Sequence, residues 1–340
     1  MATITEYLKI VLDGRDLGFD EARSLLDLIF EGQVPEVQIA ALLTAMRIKR
    51  PTADEIAGLA SSLRAHAIRV DTGLSDLVDT CGTGGGLVKT CNVSTAAAIV
   101  AAGAGVHVAK HGNRGITSNC GSADVLEALG VRLDPKPQVV ARCIRQAGMG
   151  FMFAPLYHPA MRFVQPVRKA LGFRTIFNIL GPLANPALAN RQVVGVAEES
   201  LVEPVAQALL RLGATRAMVV HGQGLDEITI TGPTMVVEVR NGGLSQYQID
   251  PRRLGLASAS LDQLHVDGPG HSAEVIRQIL SGRQSGPKKD IVLLNAGAAI
   301  MVSGLADTLE GGLSMAERAI NDGRALYCLE QLVAISNSLQ

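Results

Sequence analysis

From Leu77 onward the chain alternates short apolar, β-branched runs with helical patterns, and this rhythm constrains the fold more than any other feature. It is the signature of a parallel sheet covered by helices. Strands are expected at 106–109, 151–153, 193–196, 217–220 and 235–239. The residues before Leu77 read differently, as helices with apolar stripes at Leu25, Leu26 and Ile29 and then at Ile39, Leu42, Leu43 and Met46. Thr52 and Glu55 have capping-box spacing, which predicts a third helix reaching about His66. A further helix over about 160–171 is expected to return to this helical part. The sequence therefore predicts an α/β protein with a small all-helical N-terminal domain over 1–72, to which a segment near 160–184 returns. A larger α/β domain with a mostly parallel central sheet should fill 73–340. Loops are expected at 242–245, 267–270 and 282–287, and a last helix over about 314–336 should pack on the sheet.

Aromatic residues make up 3% of the chain and tryptophan is absent, so a core must be built from Ala, Val, Leu and Ile. The apolar stretch 96–106 is too short to span a bilayer, and Asn295 and Ser303 interrupt the one over 291–305. No charged leader precedes an apolar core, so a cytoplasmic protein without a membrane segment is expected. The five cysteines are odd in number and lack paired metal-ligand spacing, which fits reduced thiols. A formal net charge of −1 gives no broad electrostatic drive toward nucleic acid.

Three segments carry chemistry. The first is the glycine turn Gly82-Thr83-Gly84-Gly85-Gly86, set between an apolar run and the small-residue helix pattern at Ser94 to Val100. Glycines let consecutive backbone N–H groups converge on an anion, and a helix N-terminus adds partial positive charge. Asn92, Ser94 and Thr95 offer side-chain donors where that helix begins. The second is Lys110-His111-Gly112-Asn113-Arg114, read as a cationic loop at the C-terminal end of a short buried strand, where open α/β sheets bind ligands. Lys110 suits phosphate as a point charge, and Arg114 could grip a planar anion with two parallel bonds. The third is Asp226-Glu227, an adjacent acid pair after a strand. Neighbouring acids in extended chain point to opposite sides, so they fit two magnesium ions, or one ion and its water shell, better than joint chelation. Each segment alone has a plainer reading as a turn, a basic loop or solvated acids; together they suit a metal-bound, polyanionic sugar.

Further blocks sharpen this. Gly121-Ser122-Ala123-Asp124 leads into Leu126-Glu127-Ala128-Leu129-Gly130, followed by Phe153-Ala154-Pro155, His158-Pro159-Ala160-Met161, Pro166-Val167-Arg168-Lys169, Arg174-Thr175-Ile176-Phe177-Asn178, Gly181-Pro182-Leu183 and Asn185-Pro186. On these motifs the chain resembles the anthranilate phosphoribosyltransferase family of tryptophan biosynthesis over nearly its whole length. The resemblance implies transfer of a phosphoribosyl group from phosphoribosyl pyrophosphate to the amine of anthranilate, with magnesium, in a homodimer formed through the helical domain. It implies that Gly82, Thr83, Gly84, Gly85, Thr90, Asn92, Ser94, Thr95, Lys110 and Ser122 hold the donor and that Ser94, Asp226 and Glu227 serve the metal. Gly82, His111, Asn113, His158, Arg168 and Gly181 would line the acceptor site, with Arg168 taking the carboxylate. Lys110, His111 and Arg168 are the expected catalytic set, although an aromatic amine is already neutral and needs no strong base. A catalytic thiol at Cys81 or Cys120 is disfavoured, because phosphoribosyl transfer needs no covalent sulfur step. A pyrimidine nucleoside phosphorylase relative and a non-catalytic, nucleic-acid-binding relative are the alternatives.

One position departs from the pattern: the family more commonly carries Asp where this chain has Gly86, and Lys89 nearby could contact a phosphate. Gly86→Asp is expected to change the magnesium concentration that supports half-maximal activity; an unchanged magnesium titration would remove any role for the position.

Overall fold

The computed structural model describes residues 3–85, 90–115 and 120–338. Gly86 and Lys89 lie outside them. Four helices open the chain: α1 (Ile4–Leu12), α2 (Phe19–Phe30), α3 (Glu36–Lys49) and α4 (Ala53–Ala65). The capping box at Thr52 forms as its spacing predicts, and the same Glu55 carboxylate is buried, where it receives Lys49 Nζ at 2.8 Å and the Leu17 N–H at 3.1 Å. Thus one side chain both starts α4 and ties it to the loop before α2.

The sheet is built from β1 (Val78–Gly82), β2 (Val108–Gly112), β3 (Met149–Phe153), β4 (Arg191–Gly195), β5 (Arg216–His221), β6 (Thr234–Arg240) and β7 (Gly243–Ile249). Their order is β3-β2-β1-β4-β5-β6-β7, parallel from β3 through β5 and antiparallel across β6 and β7. Between the strands run α5 (Val93–Gly103), α6 (Ser122–Ala128), α7 (Pro137–Ala147), α8 (Ala154–Tyr157), α9 (Gln165–Leu171), α10 (Phe177–Leu183) and α11 (Val202–Arg211). After β7 come α12 (Pro269–Leu280), α13 (Pro287–Ser303), α14 (Leu309–Asn321) and α15 (Arg324–Ser336). The order reverses beside β1, so the C-terminal ends of β1, β2, β4 and β5 open on a crevice at the switch point.

One apolar core joins Leu25, Leu42, Ile56 and Leu59 of the helical part to Leu180 and Leu183 of α10 and to Val194, Val219 and Val237 on one sheet face. The other face is covered by α5 and α13, and residues Ile291 to Ser303 of α13 are buried on every side. Alanines of α5 permit this close approach: Ala96, Ala97, Ala98 and Ala101 are wholly buried. Arg64 stitches α4 to the rest through the carbonyls of Leu183 (2.6 Å) and Leu212 (3.3 Å). Among the described residues no helix is long and apolar enough to cross a membrane.

The structure corrects several expectations. The second strand starts and ends later than 106–109, so Lys110 and His111 sit inside β2 rather than on the loop after it. The 160–171 helix is broken into a 3-10 turn at Pro159–Phe163 and α9, because Pro166 enters at the first turn of a new helix. Residues 243–245 belong to β7: Asn241 and Gly242, at φ 53° and 75°, make a tight Asn-Gly hairpin turn. The last helix is two, separated at Gly323 (φ 74°), and α15 packs chiefly on α5 and α7 and meets the sheet at β3.

Asn295 of buried α13 decides where the acid pair stands. Its Oδ1 accepts the Ile228 N–H at 3.0 Å, and its Nδ2 donates to the carbonyls of Ile228 and Ile291, both at 2.8 Å. Asn295→Leu strands both backbone groups of Ile228 in the interior and is expected to lower unfolding free energy by roughly 2–4 kcal/mol in a urea titration; a loss below about 0.5 kcal/mol would show that this anchor is dispensable.

Candidate active site

β1 and β2 begin as neighbours but separate, with only Val78 and Val108 in register. Side chains fill the gap that the ladder leaves. Asp79, fully buried, accepts the His111 N–H through Oδ1 (3.2 Å) and Asn185 Nδ2 through Oδ2 (2.7 Å). Asn185 also donates to the Ala109 carbonyl at 2.8 Å. Lys110, 1% exposed, donates to the Thr80 carbonyl and reaches Ser94 Oγ at 3.4 Å. Burial pushes the Asp79 carboxyl up to about 6, against the pull of Lys110 and its hydrogen-bond donors.

The glycine turn leaves β1 here. Gly84 and Gly85 have φ of 68° and 88°, a backbone that favours glycine. Gly84 donates its N–H to Asp226 Oδ2 at 2.8 Å, and a Cβ on Gly82 would stand 2.2 Å from that same oxygen. Glu227 accepts the Ser94 N–H at 3.2 Å, at the start of α5. The two acids thus face different elements, the turn and the helix. Both carboxyls are raised: burial acts first on each, and for Glu227 the neighbouring Asp226 charge adds to it.

Two cavities meet at this place. The larger, about 560 Å³, is lined by Gly82, Thr83, Gly84, Gly85, Thr90, Asn92, Ser94, Thr95, Lys110, Ser122, Asp226 and Glu227, so the segments expected to hold a phosphorylated donor and a metal do adjoin one space. The other, about 430 Å³ and lined more by apolar groups, holds Gly82, His111, Asn113, His158, Arg168 and Gly181. Cys81, Gly82, Thr83, His111, Gly112, Asn113 and Asn178 border both.

In the second cavity His111 Nδ1 lies 3.1 Å from the Gly181 carbonyl, and its Nε2 has no hydrogen-bond partner among the described residues. That contact assigns the ring proton to Nδ1 and leaves Nε2 as an acceptor. Burial, aided by His158 (ring centroids 5.0 Å apart), pushes the His111 pKa down to about 3; burial takes His158 to about 4. Both imidazoles are therefore neutral at pH 7. Arg168 stacks over Phe177 at 5.5 Å, and among the described residues no acid or carbonyl bonds its guanidinium. A Cβ on Gly181 would meet nothing within 4 Å, so the cavity wall is open there.

Three of the expected polar side chains stand in surroundings that their local sequence does not show. Asn92 caps no N–H of α5; its Oδ1 accepts Ser272 Oγ (2.8 Å) and Cys120 Sγ (3.0 Å). Thr95 Oγ1 is buried without a hydrogen-bond partner among the described residues. Arg114 is engaged by Glu127 through both Nη atoms (2.7 and 3.0 Å) and by Asp124 (2.8 Å), so it is not free to grip a ligand as expected. Asp79, Asn178 and Arg174 escape a sequence reading of the site. An acid inside a strand run is the available signal for Asp79, and a recurrent block without an assigned role is the one for the other two. Burial raises the Cys81 thiol well above its ordinary value, which leaves it a poor nucleophile.

A two-part α/β scaffold with a polar, acid-bearing cavity joined to a more apolar, arginine-bearing one defines a transferase of two unlike substrates. Residues 74–326 match the glycosyl transferase family a/b domain, and residues 5–67 match the helical bundle domain of that family. The chain is 51% identical over 338 residues to the anthranilate phosphoribosyltransferase of Rubrobacter xylanophilus, covering 99% of this chain and 98% of the relative. It is 49% identical to that of Chloroflexus aggregans, with 98% of each covered. The crystal structure of anthranilate phosphoribosyltransferase from Thermus thermophilus superimposes with a TM-score of 0.93 at 42% identity, covering 97% of this chain and 99% of that one. The Saccharomyces cerevisiae enzyme in complex with PRPP and Mg superimposes at 0.89 with 30% identity, over 99% and 98%. The chain belongs to the anthranilate phosphoribosyltransferases of the glycosyl transferase family.

The depressed histidines fix a pH dependence. Below 6.5 the unfolded chain protonates His111 while the folded chain resists until about 3, so the unfolded state binds more protons and stability falls as pH falls through this window. Asp79 works in the opposite sense between 3.8 and about 6. His111→Gln is expected to flatten the rise of unfolding free energy between pH 5 and 6.5 by up to about one proton; an unchanged slope in urea titrations would mean that His111 is not held neutral by burial.

Proposed function

We propose that this chain transfers the 5-phosphoribosyl group from phosphoribosyl pyrophosphate to the amine of anthranilate and releases pyrophosphate. The observation that carries the reading is the junction of the two cavities: an anion-binding turn facing an acid pair on one side, and an unpaired guanidinium in a largely apolar wall on the other. The first suits a diphosphate and the second an aromatic carboxylate. The S. cerevisiae enzyme has been seen with PRPP and Mg, and with 4-fluoroanthranilate, which agrees with one polyanionic and one aromatic ligand.

Departure of pyrophosphate concentrates negative charge, which Lys110 stabilises from a fixed position. Lys110 is neutralised on its far side by the Thr80 carbonyl and Asp79, so its charge is held at the floor of the donor cavity without a solvated, mobile stem. Asp226, Glu227 and Ser94 fit magnesium: two buried carboxyls and a hydroxyl line the donor cavity together, and this ion typically completes its shell with substrate oxygens and water. When bound, magnesium would neutralise the diphosphate. Arg168 holds the acceptor carboxylate, and neutral His111 Nε2 accepts or orients an amine proton. Asn113 and Gly82, on both cavities, align amine and ribose. The helical part (1–72, with the returning segment near 160–184) and the α/β part (73–340) act as two lobes around this junction. Leu12, Val37 and Ile48, exposed on α1 and α3, favour a homodimer through the helical part.

The test is loss of anthranilate fluorescence with phosphoribosyl pyrophosphate, with and without magnesium, beside thymidine or uridine with phosphate. Turnover of the first pair alone supports the reading; phosphorolysis of a nucleoside instead overturns it. Arg168→Ala should raise KM for anthranilate tenfold or more, as expected from roughly 1.4 kcal/mol or more of lost charge-assisted bonding, with little change for the donor. Asp226→Asn should chiefly impair use of the metal-bound donor. Equal effects of both changes on both substrates would refute this division.

A further inference from the structure

The segment between α9 and α10 carries a second arginine, Arg174, which borders the donor cavity rather than the acceptor cavity. Its Nη1 donates to the Gly84 carbonyl and its Nη2 to the Thr83 carbonyl at 3.1 Å. Among the described residues it makes no direct ion pair; its guanidinium bonds two neutral peptide oxygens, and its charge is also felt by the Asp226 carboxyl. The opposite side of the same turn is held by the bond from the Gly84 N–H to Asp226. A Cβ on Gly85 would stand 1.5 Å from Arg174 Nη1, so the turn's lack of a side chain there is what admits the guanidinium.

A turn of glycines at positive φ has many conformations open to it, and its shape must be imposed by what grips it. Peptide carbonyls facing an anion repel it; drawn toward a cation they are kept off the ligand, while the Thr83 N–H is held by the Gly195 carbonyl at 2.9 Å and the Gly84 N–H by Asp226. Arg174 is itself braced. Its own carbonyl accepts Arg47 Nη1 from α3, and the Arg47 guanidinium lies 5.3 Å above the Phe173 ring. A continuous chain of contacts thus runs from the helical bundle through residues 173 and 174 to the glycine turn.

We propose that Arg174 is a positioning residue for the phosphoribosyl donor, clamping the Thr83 and Gly84 carbonyls so that the turn keeps its anion-binding shape, with Arg47 holding the clamp from α3. This rests on the donor-site reading given above. The clamp acts chiefly on the donor: Arg174, Gly84 and Gly85 border the donor cavity alone, and only Thr83 reaches both cavities, although Arg174 follows closely after the α9 that carries Arg168.

Full-length Arg174→Ala, Arg174→Lys and Arg47→Ala are compared with the parent chain by steady-state kinetics in each substrate, calorimetric titration with phosphoribosyl pyrophosphate and magnesium, and thermal unfolding. Arg174→Ala is expected to raise both KM and Kd for the donor roughly tenfold, with KM for anthranilate within about twofold and an unshifted melting temperature. Arg174→Lys should recover part of the loss, since an ammonium lacks the planar fork that spans two carbonyls, and Arg47→Ala should shift the donor constants in the same direction by less. Donor constants unchanged in Arg174→Ala, or raised equally with those of anthranilate, overturn the proposal. If Arg174→Ala does not fold, the donor-to-anthranilate ratio in the other two variants decides by the same criterion. A parent chain that binds no phosphoribosyl pyrophosphate overturns the donor-site reading itself, whereas a parent that binds and variants that bind equally well overturn only the role of Arg174.

Discussion

The contact of Lys110 with its buried surroundings is the constraint on which the site depends. A lysine in the middle of a sheet is costly unless its charge is answered, and here the Thr80 carbonyl, the Ser94 hydroxyl and the Asp79 carboxylate answer it together. Because Asp79 also accepts the His111 N–H, the device that neutralises the lysine fixes the ring whose other face looks into the apolar cavity. The separation of β1 from β2, which would otherwise leave ladder groups unpaired, is thereby made into a polar interior.

Around that interior each functional group is held by an element different from the one that carries it. Asp226 holds Gly84, Glu227 holds the first turn of α5, Asn185 holds Asp79, and Asn295 in α13 holds the chain on which the acids ride. Such cross-bracing supplies preorganisation: donors and charges stand in place before a ligand arrives, so little reorganisation is left for the reacting state.

Much of this is legible in the sequence because it is local. The glycine turn, the helix after it, the capping box at Thr52 and the acid pair all depend on neighbours within a few residues, and the alternation after Leu77 points to the parallel sheet. What escapes depends on distant partners. The burial of Lys110 follows from where β2 ends, which is set by pairing with β3 rather than by its own residues. The engagement of Arg114 by Glu127 from α6 and the bond between Asn92 and Ser272 of α12 are of this kind. Pairing of β6 with β7 is hidden by polar residues suited to an edge strand, and its signal is the Asn241-Gly242 turn.

Residues 81–83 and 111–113, with Asn178, form the wall common to the two cavities. On the proposed reaction a product joined at the ribose lies across that wall, one end in each chamber, so it competes with both substrates and neither can enter until it has left. Slow escape of the joined molecule would then throttle flux however fast the bond is made, and the walls flanking the junction, not the reacting groups, would set the ceiling on turnover.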